Sequence, residues 1–190
     1  MTKLILLLFS MTLFSCGQKG AGETAAPITE VKKASTTTAP SFNADSAYAY
    51  VEKQVSFGYR VPNTPAHKAC GDYLVSELKR FGAQGYEQEA TLKAYDGTPL
   101  ESRNIIGSFN PDKDKRILLF AHWDTRPYSD HDPDPANHKK PLDGADDGAS
   151  GVGALLEIAR QMGMKAPEVG VDIIFFDAED YGTPEFAKDR

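Results

Sequence analysis

VDIIFFDAEDYG, residues 171 to 182, is the stretch on which the reading of this chain turns. Five of the six residues from Val171 to Phe176 are apolar, and a short continuous run of that kind reads as a buried strand. The strand then runs into Asp177, Glu179 and Asp180 with no Lys or Arg beside them. Carboxylates crowded at the lip of a core repel one another unless a positive charge sits among them.

Working outward, DGASGVGALLEIARQMG sets Val152, Leu155, Leu156, Ala159 and Met162 on one helical stripe. Gly148, Ala149, Ser150, Gly151 and Gly153 let the first turn of that helix approach another backbone closely. RILLFA, residues 116 to 121, is a second continuous apolar run and is expected to be a fully buried strand. Strand, loop, helix and strand form a β-loop-α-β unit. The expected fold is therefore α/β: a mixed, largely parallel central sheet with helices on both faces.

Further upstream, ADSAYAYVEKQVSFG puts Tyr48, Val51 and Val55 at helical spacing. In TPAHKACGDYLVSELKRFG, Thr64 reads as an N-cap, Pro65 as the first helical residue and Gly82 as the C-terminal stop. Tyr73, Leu74, Leu78 and Phe81 share one face of that helix, with Cys70 read as a small core residue and His67 as a surface one. YEQEATLKAY and ESRNIIGSFN read as partly exposed strands joined through a turn at Asp96-Gly97.

Two apolar strands thus end in polar signatures, AHWDTRP and FFDAEDYG, and the helix between them opens with GADDGASG. In open α/β sheets such segments converge beyond the carboxyl ends of the strands. His122 and several carboxylates could then share a small volume, with the mixed N and O donors that suit zinc or a similar divalent ion. Each element also has a plainer reading. Asp146 or Asp147 alone fits an N-cap, His122 and Asp124 a surface pair, and Glu179 and Asp180 a solvated loop. Their shared placement after strands or at a helix start favours the metal site. His131 and His138 read as exposed loop residues.

The chain has 190 residues, 41% hydrophobic, enough for one globular domain. A net charge of −6, with no basic run longer than a pair such as Lys139-Lys140, argues against nucleic acid as a partner. LILLLFSMTLF, residues 4 to 14 after Lys3, is too short to span a bilayer comfortably and reads as a signal h-region. It ends in LFSC, which resembles the lipobox of bacterial lipoproteins, with Cys16 as the lipidated residue. Residues 1–15 are then a lipoprotein signal peptide and 16–42 a polar, disordered tether. Residues 43–190 are the N-terminal part of a catalytic α/β domain. The expected location is the bacterial cell envelope, with the protein held to a membrane by a lipid anchor.

Taken in order, AHWDTRP, GADDGASGVGALLEIAR and DIIFFDAEDYG resemble the zinc-dependent exopeptidase superfamily. Within it they are most similar to the bacterial glutaminyl-peptide cyclotransferases, or glutaminyl cyclases. The resemblance implies conversion of N-terminal glutamine to pyroglutamate with release of ammonia, using one zinc ion. It also implies peptides or proteins with N-terminal glutamine as partners. On it Asp147 and Asp180 are zinc ligands and Glu179 is the acid/base carboxylate. His122 and Asp124 match a His-x-Asp pair close to that zinc, not expected to bind it but candidates for a second metal. The family's third ligand is a later histidine, whereas none follows His138 here, so the chain is expected to be an inactive fragment of a longer protein. The strand at 171 to 176 would then be uncovered on at least one side. Two alternatives stand beside this reading: a zinc aminopeptidase of the same superfamily, in which His122 binds a second metal bridged by Asp147, or a non-catalytic peptide-binding lipoprotein.

Overall fold

Asn43 and Thr64 open the first two helices by the same device, a side-chain oxygen that accepts an N–H of the first turn, from Ser46 and from His67 respectively. In the computed structural model, which describes residues 39–188, these helices are α1 (Ala44–Val55) and α2 (Pro65–Arg80). The signal peptide, Cys16 and the tether as far as residue 38 lie outside the described residues. Pro65 takes the first turn of α2 as expected, and Gly82, at φ 87°, reverses the chain where the helix stops.

The period then changes to that of strands. β1 (Gln84–Lys93) and β2 (Pro99–Phe109) form an antiparallel hairpin, and Asp96 accepts the Thr98 N–H within its turn. β3 (Arg116–His122), α3 (Ala149–Met164) and β4 (Gly170–Phe176) make the expected strand-helix-strand unit. The strand order is β1-β2-β4-β3, with β4 parallel to β3 and antiparallel to β2.

The fold is the α/β class read from the sequence, with a mixed sheet, but several details differ. Of the three pairings only β3–β4 is parallel, because the β1–β2 hairpin adds antiparallel neighbours. Among the described residues the helices pack on one face of the sheet, where Leu74, Leu78, Val152, Leu156 and Ala159 meet Ile105, Ile173 and Phe175 in one core. β3 is therefore not fully buried. Leu119 and Ala121 face the core, whereas Leu118 and Phe120 alternate to the other face and remain exposed, Phe120 by 64%. The uncovered strand edge also falls on β3, since β4 is paired on both sides. In α1 the inward positions are Tyr50, Val51 and Gln54, and Tyr48 points outward. Cys70 is buried in the core, and burial pushes its thiol up to about 12, as an inert core residue requires.

Candidate metal centre

Because β3 and β4 are parallel, their carboxyl ends open on the same side, and Trp123 extends their ladder by donating its N–H to the Phe176 carbonyl. His122 closes β3 at this opening. Gly148, just before α3, runs against it with φ 91°, and a Cβ there would stand 3.1 Å from both His122 Cε1 and the Asp124 carbonyl. Only glycine allows that approach. The result is that Asp147 lies directly over His122, with Oδ1 2.8 Å from Nε2. Neither Asp146 nor Asp147 caps α3, which starts at Gly148 without a side-chain cap.

The loop after β4 supplies the third donor. His122, Asp147 and Asp180 each offer a ligand atom within 4.8 Å of the others. Burial pushes the Asp180 carboxyl up to about 6, and Asp147 and Asp124 push the same way. Asp124, then Asp147 and Glu179, hold the His122 imidazole up at about 9 against its desolvation. Nδ1 of His122 is buried and lacks a directed hydrogen bond; Asp124 Oδ1 stands 3.4 Å away and Glu179 Oε2 3.9 Å away. One imidazole and two carboxylates, crowded enough to disfavour ionisation of Asp180, fit a divalent cation such as zinc.

The residues read from the sequence thus converge but divide their work. Asp147, Asp180 and His122 gather in one cluster of candidate donors, with His122 as close to the two expected ligands as the resemblance implies. Asp124 is wholly buried and spends both oxygens on main chain, Oδ1 accepting the Glu179 N–H at 3.2 Å and Oδ2 the Asp180 N–H at 3.1 Å. It shapes the loop that carries the other two acids. Glu179 projects its carboxylate into solvent, with 63% of the side chain exposed. His131 is exposed near Glu185, and His138 bonds the Asp132 carbonyl; both lie outside the cluster, as expected.

Asp177 belongs to a different arrangement. Its carboxylate accepts from His67 Nε2 at 2.8 Å and from the N–H groups of Arg103 and Ala178 at 2.7 and 2.8 Å. His67 is therefore not a surface residue: it is 5% exposed and stacks on Trp123 with ring centroids 4.3 Å apart. Its spacing from Cys70 and Leu74 already placed it on the inner face of α2, a signal masked by its polarity. The pinned Asp177 lets Ala178 adopt φ 58°, which turns Glu179 and Asp180 toward β3. Sequence reasoning also missed Arg126, whose guanidinium forks onto Asp130 and donates to the Asp180 carbonyl at 3.2 Å.

The α/β sheet thus presents a His and two Asp side chains at the carboxyl ends of adjacent parallel strands, a donor set able to hold a divalent cation. Residues 104–187 match the model of Peptidase family M28. A Zn-dependent exopeptidase of Parabacteroides distasonis is 78% identical, with a TM-score of 0.78, over 80% of this chain and 52% of its own. The Tannerella forsythia glutaminyl cyclase is 67% identical, with a TM-score of 0.78 and the same coverage of both chains. Aminopeptidase YwaD of Bacillus subtilis is 32% identical over 64% of this chain and 25% of its own. The chain thus spans about half the length of these solved structures and a quarter of the aminopeptidase. Zinc is the metal that the family and these neighbours imply.

Proposed function

We propose that the protein is a zinc-dependent glutaminyl-peptide cyclotransferase, acting on peptides or proteins with N-terminal glutamine to give pyroglutamate and ammonia. The observation that carries this reading is the His122, Asp147 and Asp180 cluster with the unhindered Glu179 carboxylate beside it, in a chain 67% identical to a glutaminyl cyclase. Asp147 and Asp180 would hold one zinc ion. When bound, the ion supplies a Lewis acid for the γ-carboxamide oxygen of the substrate. Glu179 takes a proton from the attacking α-amine and returns it to the leaving ammonia. Asp124, through two main-chain N–H groups, keeps Glu179 and Asp180 at a fixed spacing, so the base need not be found by a loop search.

The test is a direct competition. Purified full-length protein is assayed for ammonia release from a Gln-peptide and for cleavage of amino-acid arylamides, with metal content measured alongside. Ammonia release with one zinc per chain supports the cyclase. Arylamide cleavage with two zinc ions would replace it with the aminopeptidase reading, which the 2.8 Å contact of His122 with Asp147 and the likeness to aminopeptidase YwaD favour. In either case Asp180→Ala lowers zinc affinity by more than the roughly 10–100-fold typical of outer-shell partners, and unchanged affinity would remove Asp180 from the ligand set.

The lipobox-like LFSC supports anchoring of the mature protein in a bacterial cell envelope through lipidated Cys16. Cys16→Ala then abolishes labelling by a radioactive fatty acid, and labelling that persists would dismiss the anchor.

A further inference from the structure

Arg60, in the connection between α1 and α2, is wholly buried, and no carboxylate of the described residues lies within 4.0 Å of its guanidinium. A buried cation without a salt-bridge partner is costly, so its retention calls for a reason. Each of its three nitrogens donates to a carbonyl: Nη2 to Gly144 at 2.8 Å, Nε to Trp123 at 3.3 Å and Nη1 to Gly58 at 3.4 Å. Its own carbonyl accepts the Thr125 N–H.

Those carbonyls are not arbitrary. Trp123 sits between His122 and Asp124. The Gly144 carbonyl also accepts the Ala149 N–H, so it closes the turn that holds Asp147 at the start of α3. One planar fork therefore spans the exit of β3 and the entry of α3, the two segments whose separation fixes the 2.8 Å contact of His122 with Asp147. The turn has no slack. Gly144 has φ 58°, and a Cβ there would collide with Thr125 Cγ2 and stand 2.9 Å from Arg60 Nη2.

We infer that Arg60 is a positioning residue for the metal centre: it sets the spacing of His122 and Asp147 by clamping the Trp123 and Gly144 carbonyls together. Nothing in its own chemistry touches the metal. The inference rests on the metal reading of the His122, Asp147 and Asp180 cluster and is independent of whether the protein cyclises or hydrolyses.

The experiment measures zinc affinity of the full-length protein by competition with a chromophoric chelator, alongside thermal unfolding of the metal-free form. Arg60→Met keeps an unbranched stem out to the position of Nε and removes the fork; it is expected to weaken zinc binding roughly 10–100-fold, as loss of outer-shell support does. Arg60→Lys keeps a point charge but cannot bridge two carbonyls in one plane, so it falls between Met and the parent. Leu78→Ala, a core cavity in α2 remote from the cluster, serves as the control: it lowers the melting temperature and leaves zinc affinity at the parent value. Should Arg60→Met not fold, the Lys variant carries the same prediction at smaller amplitude. Folded Arg60 variants that bind zinc as the parent does would overturn the inference alone, leaving Arg60 a core filler. A parent that takes up no zinc would overturn it together with the metal reading.

Discussion

Two groups of acids lie on this domain, and they differ in what answers their charge. In the groove between α2 and the β1–β2 hairpin, Asp72, Glu87, Glu89 and Glu101 line a cavity of about 630 Å³ together with Lys68 and Arg103. Arg103 pairs with both Asp72 and Glu87, and Lys68 with Asp72 at 2.9 Å. At the carboxyl ends of β3 and β4, Asp124, Asp147, Glu179 and Asp180 surround His122, and the guanidinium of Arg126, which reaches the Asp180 carbonyl, forks onto the Asp130 carboxylate. In the groove Lys and Arg side chains thus answer Asp72 and Glu87 directly, whereas at the strand ends no Lys or Arg pairs with Asp124, Asp147, Glu179 or Asp180. Acids without a Lys or Arg partner, gathered about a histidine, mark the place suited to a cation.

The sharpest way to break this contrast is at Glu179. Glu179→Gln removes a proton carrier while the donor cluster stays, so turnover of the full-length enzyme is expected to fall about 10²–10⁴-fold with zinc retained. A loss of only a few-fold in steady-state assays would return Glu179 to the class of solvated acids. Next comes Asp177, an acid that is answered but buried. Asp177→Ala strands His67 and two N–H groups, and denaturant unfolding should show a loss of about 3 kcal/mol, the cost of breaking a buried pair. An unfolding free energy within error of the parent would mean that water replaces the carboxylate without penalty.

Glu157 sharpens the comparison through pH. Arg160 first, with Gln161 and the Asn43 N–H, holds its carboxyl down at about 2 although burial acts the other way. Its stabilising contribution is complete above its unfolded value of roughly 4.3 and is lost as pH falls through the folded value. Thermal stability should therefore fall as pH drops between those limits, and Glu157→Gln should flatten that part of the profile. Parallel profiles for the two proteins would contradict the pairing. The smallest effect belongs to the groove: Asp72→Asn loses exposed ion pairs worth less than about 1 kcal/mol and leaves zinc affinity untouched. A measurable drop in zinc affinity there would erase the distinction between the two groups.

What could be read in advance follows the same division. Apolar periodicity marks α2, α3 and both strands of the parallel pair, and the acids with no basic neighbour in sequence mark the centre. Burial of β3 was not legible, because an apolar run states what a strand can bury and not which elements are present to cover it. Arg60 was not legible as an inner residue for a related reason, and at His67 polarity masked an inward helical spacing. Asp177 lies 110 residues from His67, and the Gly144 and Trp123 carbonyls lie 84 and 63 residues from Arg60, so the partners fall outside any local pattern. Polarity suggests a surface until the partner is known.

The grip of Asp124 on the loop after β4 has a consequence for how such a site can change. Both of its oxygens hold main-chain N–H groups, and neither touches the side chain of Glu179 or Asp180. The path of the loop is thereby uncoupled from the identity of the residues displayed on it. A histidine at position 180, or a glutamine at 179, inherits the same placement as the acid it replaces. Scaffold and reagent can be exchanged separately, so one loop geometry can be refitted for different reactions by replacing single letters of its sequence.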